Sequence, residues 1–167
     1  MANRRYASVV AFEADSVALV RESYPAWGGS FWSVPSGGVE EDETPAEGAA
    51  RELAEETGLT VDPAHLVLVS TSRNRLDDAM SEAWNYVGRA GARTLQADDP
   101  DGIIEATAWF TRDAAIQELT QLPYAPLREP ALALLSAPDS LRSRSVAVVH
   151  WEFENGSLVG STTRSPS

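Results

Sequence analysis

The segment from Thr44 to Gly58 constrains the fold more than any other part of the chain, because it carries signals for both ends of a helix. Thr44 suits the N-cap, Pro45 suits the first helical position, and Glu47 completes a capping box. Gly58 supplies the left-handed residue at which helices commonly end. We therefore expect a helix over Pro45–Thr57, about three and a half turns long.

The two faces of this helix differ in chemistry. The inward face carries small and apolar side chains, namely Ala46, Ala49, Ala50, Leu53 and Thr57. Glu52, Glu55 and Glu56 share an arc roughly 100° wide, where like charges repel one another. A hard divalent cation such as Mg²⁺ would relieve that repulsion. A solvated acidic face is the other interpretation, and helix spacing alone leaves both open.

Composition limits the class of protein and of ligand. The 167 residues, 43% of them hydrophobic, predict one domain with a substantial core. A formal net charge of −12 disfavours nonspecific binding to nucleic acid or to an anionic membrane. All 13 basic residues are arginine and Cys is absent, which excludes a lysine-bearing phosphate loop, disulfides and a cysteine nucleophile. The N-terminus lacks the apolar stretch of a signal peptide, and the Arg and Ala bias is typical of bacteria, so we expect a cytoplasmic bacterial protein.

Hydrophobic periodicity predicts the other elements. Strands are expected over residues 6–13, 17–20, 66–72, 83–89 and 103–110. Helices are expected over residues 111–119 and 127–136, and loops over residues 27–33, 73–82 and 91–102.

The C-terminal segment predicts a β-hairpin. Residues 146–153 and 157–162 flank Asn155-Gly156, the strongest short-range hairpin signal. Because an isolated hairpin is marginally stable, its apolar face must pack on the same domain or on a second copy of the chain. We predict a main domain over residues 1–137 and an extension over 138–167. We also predict a homodimer whose interface includes Trp151 and Phe153.

Gly37, Glu43 and the run Arg51-Glu52-Leu53-Ala54-Glu55-Glu56-Thr57-Gly58-Leu59 resemble the Nudix box. That family pattern is G-x5-E-x7-R-E-U-x-E-E-x-G-U, where U is a bulky aliphatic residue. The resemblance covers roughly residues 6–135. It implies an α/β protein with the Nudix fold, an α/β/α sandwich around a mixed β-sheet, to which the hairpin is an addition. It also implies hydrolysis of a diphosphate bond in a nucleoside diphosphate derivative, with Mg²⁺ or alternatively Mn²⁺ as the cation.

The resemblance assigns catalytic and metal-binding roles. Glu52, Glu55 and Glu56 match the metal-ligand positions, and Glu52 also matches a position that activates water. The backbone carbonyl of Ser36 matches a further ligand position, where most relatives have Gly. A carboxylate from outside the box is expected as well, and Glu105 is our choice for it. The alternatives for that role are Glu82, Asp99 and Asp101.

Four further residues of the box are expected to be structural. Glu43 and Arg51 match an ion pair that ties the box loop to its helix. Gly37 and Gly58 match the two glycines of the pattern, where the backbone approaches other groups closely.

Substrate contacts are expected from arginine and aromatic side chains. Arg21, Arg73 and Arg75 are candidates to hold phosphates through their fork geometry. Trp27 is a candidate to stack on a base, as are Phe31, Trp84 and Tyr86. The substrate classes that remain are nucleoside triphosphates and nucleotide sugars. The alternative function is a non-catalytic nucleotide sensor that acts through protein–protein contacts.

Overall fold

The computed structural model of the chain describes residues 3–91, 94–137 and 147–164. The strands in these ranges are β1 (Asn3–Glu13), β2 (Ser16–Tyr24), β3 (Gly29–Ser33), β4 (Ser36–Gly38), β5 (Val67–Leu76), β6 (Ala79–Arg89), β7 (Ile104–Thr111), β8 (Val148–Glu154) and β9 (Ser157–Arg164). The helices are α1 (Pro45–Thr57), α2 (Arg112–Thr120) and α3 (Ala125–Ser136). Among these ranges no helix is long and apolar enough to cross a membrane.

The described strands join one mixed sheet. Its order is β3-β2-β1-β6-β5-β8-β9, with β4 also paired to β1 and β7 also paired to β2. Strand β1 runs parallel to β6 and β5 runs parallel to β8, while the other neighbours are antiparallel.

The side chains of β1 alternate between two cores, as the period of a strand requires. Val10 packs in one core with Leu119 of α2 and Leu135 of α3. Val9 packs in the other with Leu53 of α1. Helices therefore cover both faces of the sheet, and the predicted α/β/α sandwich around a mixed sheet is confirmed.

Helix α1 begins and ends as its sequence predicts. The Thr44 side chain accepts a hydrogen bond from the Glu47 amide, and the Glu47 carboxylate accepts one from the Thr44 amide. Gly58 takes a left-handed conformation, with φ 73°, and its amide bonds to the carbonyl of Ala54. The helix is not simply a solvated acidic face, because Glu56 is buried.

Two predicted loops are wrong. Residues 29–33 form strand β3 against β2 at the sheet edge, where glycine and serine are tolerated. Residues 73–76 and 79–82 continue β5 and β6 up to a tight turn in which Asp77 has a positive φ of 44°. Their polar side chains therefore belong to regular strands and do not indicate an irregular loop.

Strands β1 and β2 pair only beside their connecting turn, at Phe12–Val17 and Glu13–Ser16. Farther from the turn β2 pairs with β3 and β7, while β1 pairs with β6 and with the short strand β4. The sheet therefore opens between the N-terminal half of β1 and the C-terminal half of β2. This opening positions the site described below.

The predicted hairpin forms over β8 and β9. Its first predicted residue, 146, lies outside the described residues, and the proposed domain boundary at 137/138 lies at the edge of the same undescribed segment. Asn155 and Gly156 both have positive φ, as a type I′ turn requires. Strand β8 adds to β5 of the same chain, and Phe153 is only 2% exposed there. The prediction that Phe153 lies in a dimer interface is therefore wrong, because its own chain buries it. The dimer itself stays a prediction.

Candidate active site

A cavity of about 380 Å³ lies where β1 and β2 part. That volume is typical of small-molecule sites. Five acidic side chains contribute to its wall, namely Glu22, Glu52, Glu56, Asp99 and Asp101. No basic residue belongs to the described lining. An anionic ligand would therefore meet only negative charge there unless cations accompany it.

Glu56 is the most buried of these acids, with 4% of its surface exposed. The amide of Ser36 donates a hydrogen bond to its carboxylate at 3.0 Å. Burial raises the pKa of Glu56 to about 9, the Ser36 amide opposes that rise, and the charges of Glu52 and Glu22 add to it. A carboxylate placed this way binds a proton or a cation near neutral pH.

Glu52 lies directly against the backbone of the box loop. A Cβ atom at Gly37 would come within 2.2 Å of the Glu52 carboxylate, so any larger residue there would force that carboxylate to move. Burial raises the pKa of Glu52, and a hydrogen bond from Arg51 at 2.8 Å opposes the rise. Gly37 and Arg51 together therefore fix where this carboxylate lies.

Arg51 joins the box loop to its helix. Its guanidinium donates two hydrogen bonds to Glu43, at 2.7 and 3.0 Å, and one to the carbonyl of Gly38 at 2.7 Å. These bonds hold the pKa of Glu43 below its usual range. The same guanidinium also contacts Glu52 and, at 3.2 Å, Glu55. Arg51 therefore supports the acidic arc as well as the loop, and Glu55 faces this cation outside the cavity lining.

Glu22 is a site residue that the sequence analysis missed. It lines the cavity near the end of β2 and accepts a hydrogen bond from the Tyr24 hydroxyl at 3.0 Å. Burial raises its pKa, and the charges of Asp99 and Glu52 add to the rise. The available signal was a carboxylate at the end of an apolar strand, followed two residues later by a tyrosine.

Of the alternatives to Glu105, Asp99 and Asp101 line the cavity. The Asp99 carboxylate accepts hydrogen bonds from the amides of Asp101, Ile103 and Ile104 at 2.7 to 3.0 Å. Asp99 therefore shapes its own turn. The chain before it is attached to α1 through bonds from the Gln96 amide to Thr57 and from the Asp98 amide to Glu55.

Glu105 and the three predicted phosphate-binding arginines lie elsewhere. Glu105 bonds to Ser30 at 2.6 Å and pairs with Arg21 at 3.6 Å, and neither member of that pair lines the cavity. Arg73 pairs with Glu82, and Arg73 and Arg75 border a separate depression beside β8. The structure therefore does not bring these arginines or Glu105 together with the box carboxylates. Trp27 does line the cavity.

The donor set suits a hard divalent cation. Carboxylate oxygens are the ligands that Mg²⁺ and Mn²⁺ prefer, and Glu56 is a deeply buried carboxylate without a basic partner among its described hydrogen bonds. In the described ranges no three acidic or histidine side chains already converge on a single point. The chemistry of these residues therefore fits a hard divalent cation.

The rest of the cavity wall is uncharged. Ser8 donates to the Asn85 carbonyl oxygen at 2.8 Å, and the Asn85 amide nitrogen donates to Ser70 and Ser72 at 3.0 and 3.3 Å. Three aromatic rings also line the cavity, and the Trp27 ring centroid lies 5.7 Å from those of Tyr24 and Tyr124. Trp84 and Tyr86 instead belong to the core around α1, as core packing predicts.

A model of the NUDIX domain matches residues 2–134. A stretch of 40 residues is 50% identical to the protein named Phosphatase NudJ in Escherichia coli K12, and the same holds for its counterpart in Shigella flexneri. This stretch covers 24% of the chain and 26% of those proteins, so the chain spans about a quarter of the curated relatives it matches.

Solved structures share the fold. A MutT protein from Bacillus halodurans aligns with a TM-score of 0.66 at 18% identity, over 96% of this chain and 97% of that one. A MutT NUDIX hydrolase from Burkholderia pseudomallei aligns with a TM-score of 0.61 at 21% identity, over 78% and 97%. At these identities the alignments show the architecture alone.

Proposed function

The chain belongs to the Nudix family, and from that premise we propose that it hydrolyses a diphosphate bond in a nucleoside diphosphate derivative, with Mg²⁺ as the cation. The observation that carries the proposal is the cavity lined by Glu22, Glu52, Glu56, Asp99 and Asp101 and by no basic residue of the described lining. A nucleoside triphosphate or a nucleotide sugar is the substrate class. Mn²⁺ is the alternative cation.

In this proposal Glu52 and Glu56 hold the cation, together with the backbone carbonyl oxygen of Ser36. When bound, such a cation neutralises diphosphate charge and lowers the pKa of water. The Ser36 amide holds the Glu56 carboxylate at 3.0 Å, and Arg51 holds Glu52 at 2.8 Å. Glu55, bonded to Arg51, supports this arrangement from outside the cavity.

We assign the role of the extra carboxylate to Glu22 in place of Glu105. Its burial and its neighbours Asp99 and Glu52 raise its pKa. A general base works best when its pKa lies close to the working pH. Glu22 would accept the proton of the attacking water, and the Tyr24 hydroxyl, which donates to it at 3.0 Å, would hold the carboxylate in place.

The second candidate is a nucleotide sensor without catalysis, acting through protein–protein contacts. The observation in its favour is the hairpin added to the sheet, which lies outside the matched residues 2–134. A sensor has no need of several buried carboxylates around one cavity, and keeping them costs stability. Hydrolysis is therefore the better supported of the two.

The proposed setting is a cytoplasmic homodimer acting on free nucleotides. Its net charge of −12 opposes nucleic acid and anionic membranes as partners. We keep residues 1–137 as the proposed catalytic domain and residues 138–167 as its extension.

Phosphate release from a panel of nucleoside triphosphates and nucleotide sugars, with Mg²⁺ or Mn²⁺, tests the proposal. Glu56→Gln should lower turnover by at least about 10²-fold, because the amide cannot supply a carboxylate oxygen pair. It should keep the fold, because Gln resembles the protonated Glu56 that burial favours. Glu41→Gln is the matched control, since Glu41 is exposed on the box loop. A wild-type protein that cleaves nothing in the panel would establish the sensor instead.

A further inference from the structure

The C-terminal hairpin fixes the orientation of a buried amide, Asn74. Strand β8 pairs with β5 in a register that sets Phe153 opposite Asn74, and each of these residues is only 2% exposed. The Oδ1 atom of Asn74 accepts a hydrogen bond from the amide of Gly156, in the turn between β8 and β9, at 3.2 Å. The amide of Asn155, in the same turn, donates to the carbonyl of Arg75 at 2.7 Å. The turn is therefore attached to β5 at two successive residues.

The other end of the Asn74 amide faces the Tyr124 hydroxyl. Because a backbone N–H only donates, the atom that faces Gly156 must be the oxygen, so the Nδ2 group points away from the hairpin turn. That group is itself buried, and the Tyr124 hydroxyl is its polar neighbour. Burial raises the pKa of Tyr124, and the interaction with the Asn74 amide opposes the rise. Asn74 therefore connects Gly156 to Tyr124.

Tyr124 carries this connection to the cavity wall. Its ring lines the cavity, and the ring centroid lies 5.7 Å from that of Trp27, at an interplanar angle of 39°. Trp27 belongs to a single 3₁₀ turn, Pro25–Trp27, and is 46% exposed. Residues in such connecting segments move more than those in paired strands. Contact with the rings of Tyr24 and Tyr124 therefore restrains the Trp27 ring.

The part of the cavity beside Asn74 suits the organic portion of a ligand rather than its phosphates. Strand β5 is three strand positions away from β4, across β1 and β6, a separation of roughly 14 Å at the usual strand spacing. The box carboxylates belong to the β4 side, where the Ser36 amide bonds to Glu56. The described lining residues of β5 and β6 are uncharged, namely Ser72, Asn74, Ser81, Ala83 and Asn85. Phosphates with their cation are therefore favoured at the carboxylates, and an organic group is favoured beside the rings.

We propose that Asn74 is a positioning residue through which the C-terminal hairpin sets the affinity of the cavity for the organic portion of its substrate. Asn74 holds Tyr124 and Tyr124 restrains Trp27, so the wall that meets this portion depends on a hairpin outside the matched residues 2–134. A wall that is already ordered lowers the cost of binding. The diphosphate binds at the carboxylates and does not depend on these contacts. That the organic portion is a nucleoside rests on the proposed function.

Titration calorimetry on the full chain with Mg²⁺ tests this division of the ligand, independently of hydrolysis. The nucleotide probes are the α,β-methylene diphosphates of adenosine, guanosine, cytidine and uridine, and methylenediphosphonate carries the same two phosphorus groups without a nucleoside. Asn74→Ala should weaken the tightest nucleotide probe by at least about fivefold and leave the affinity for methylenediphosphonate within about twofold, because only the ordered wall is lost. Equal weakening of both probes would make Asn74 merely structural, and unchanged nucleotide affinity would overturn the inference.

Tyr124→Phe removes only the hydroxyl that faces Asn74 and leaves the hairpin unaltered. It should reproduce the loss of nucleotide affinity in Asn74→Ala, and the double variant should lose no more than either single variant, because residues that act through one another are not additive. Tyr86→Phe is the matched control, since Tyr86 packs in the core around α1 and outside the cavity lining, and it should change neither affinity. Additive losses would show that Asn74 does not act through Tyr124.

A spectroscopic signal separates this inference from the proposed function. The indole N–H resonance of Trp27, identified by its absence in Trp27→Phe, should shift in both Asn74→Ala and Tyr124→Phe, because the Tyr124 ring beside it is no longer held. A Trp27 resonance that stays in place in both variants overturns the inference. A shifted resonance in a protein that binds none of the nucleotide probes would contradict the proposed nucleotide substrate and leave the inference standing.

Discussion

Gly37 determines where the Glu52 carboxylate lies, because a side chain at residue 37 would occupy the same space. We expect Gly37→Ala to displace Glu52 and to lower kcat by about 10²-fold, the effect of misplacing a catalytic group by about 1 Å. Steady-state kinetics on the best substrate of the panel would measure it.

Gly38→Ala is the matched control for that variant. A Cβ atom at Gly38 would meet nothing within 4 Å, although the residue lies beside Gly37 and also lines the cavity. We expect its kcat to stay within about twofold of wild type, because nothing has to move. Equal losses of kcat in Gly37→Ala and Gly38→Ala would mean that the loop conformation, rather than the position of Glu52, requires glycine.

Glu56 should make the metal-free protein less stable as pH rises. Its pKa is about 9 in the folded chain against 4.5 when unperturbed, so between these values the folded state holds a proton that the unfolded state has released. The free energy of unfolding therefore falls across this window, by up to about 1.4 kcal/mol per pH unit for one proton. The raised pKa values of Glu22 and Glu52 act in the same direction.

Thermal unfolding in chelator, from pH 5 to pH 9, would measure this dependence. The melting temperature should fall as pH rises, and Glu56→Gln should flatten the fall. Adding Mg²⁺ should raise the melting temperature more at pH 8.5 than at pH 6, because binding then displaces fewer protons. A melting temperature that rises over this range in the wild-type protein would show that Glu56 is ionised in the fold.

The acids on α1 were predictable from the sequence because helix spacing fixes their relation. The position of Glu105 was not predictable in the same way. The pairing of β2 with β7 shifts register between Arg21 and Glu22, beside Glu105. Such a shift changes which face of a sheet a side chain takes, and it leaves no local mark in the sequence. Glu22 lies in the cavity and Glu105 outside it for this long-range reason.

At the scale of elements, the C-terminal end of α1 is packed against the segment that carries Asp99. A Cβ atom at Gly58 would come within 2.6 Å of the Gln96 carbonyl oxygen, and φ of Gly58 is +73°, in the left-handed region. Gly58→Ala should therefore add a steric clash to the left-handed penalty and lower the free energy of unfolding by roughly 3 kcal/mol.

Gly102→Ala isolates the conformational part of that cost. Gly102 has φ +66° and open space around its Cβ position, so we expect a loss of only about 1 kcal/mol. Urea denaturation of both variants would measure the difference. Equal losses in the free energy of unfolding would mean that the segment around Gln96 moves away from the added Cβ atom without lowering stability further.

The helix over Pro45–Thr57 followed from its own capping residues, which act within a few positions of one another. Strands were predicted less well, since β3 and the ends of β5 and β6 appeared to be loops. They include residue types that are depleted in strands, namely Gly29 in β3, Asn74 in β5 and Glu82 in β6. They are strands because neighbours distant in sequence pair with them, and local pattern does not report such pairing.

At the scale of the whole molecule, the exposed apolar residues of the hairpin are Leu158, at 45%, and Val159, at 62%. Both belong to β9, the last strand in the sheet order, whose outer edge has no described partner. We expect the full chain to sediment as a dimer through this edge, because an unpaired apolar edge strand favours pairing with another chain.

Val159→Lys should shift that protein to a monomer with its melting temperature unchanged, since a charge on an edge strand opposes edge pairing. Glu41→Gln changes the net charge by the same amount on the exposed box loop and should remain dimeric. A wild-type chain that sediments as a monomer at micromolar concentration ends the dimer proposal.

The hydrogen bond from Gly156 to Asn74 also links the end of the chain to the cavity. Any ligand that requires the Asn74 orientation stabilises the docked turn, and by reciprocity the docked turn strengthens the binding of that ligand. Isotope exchange at the Gly156 amide should therefore slow as the cavity fills. Gly156, in a turn outside the matched family region, would then serve as a spectroscopic reporter of occupancy in a site built by the rest of the chain.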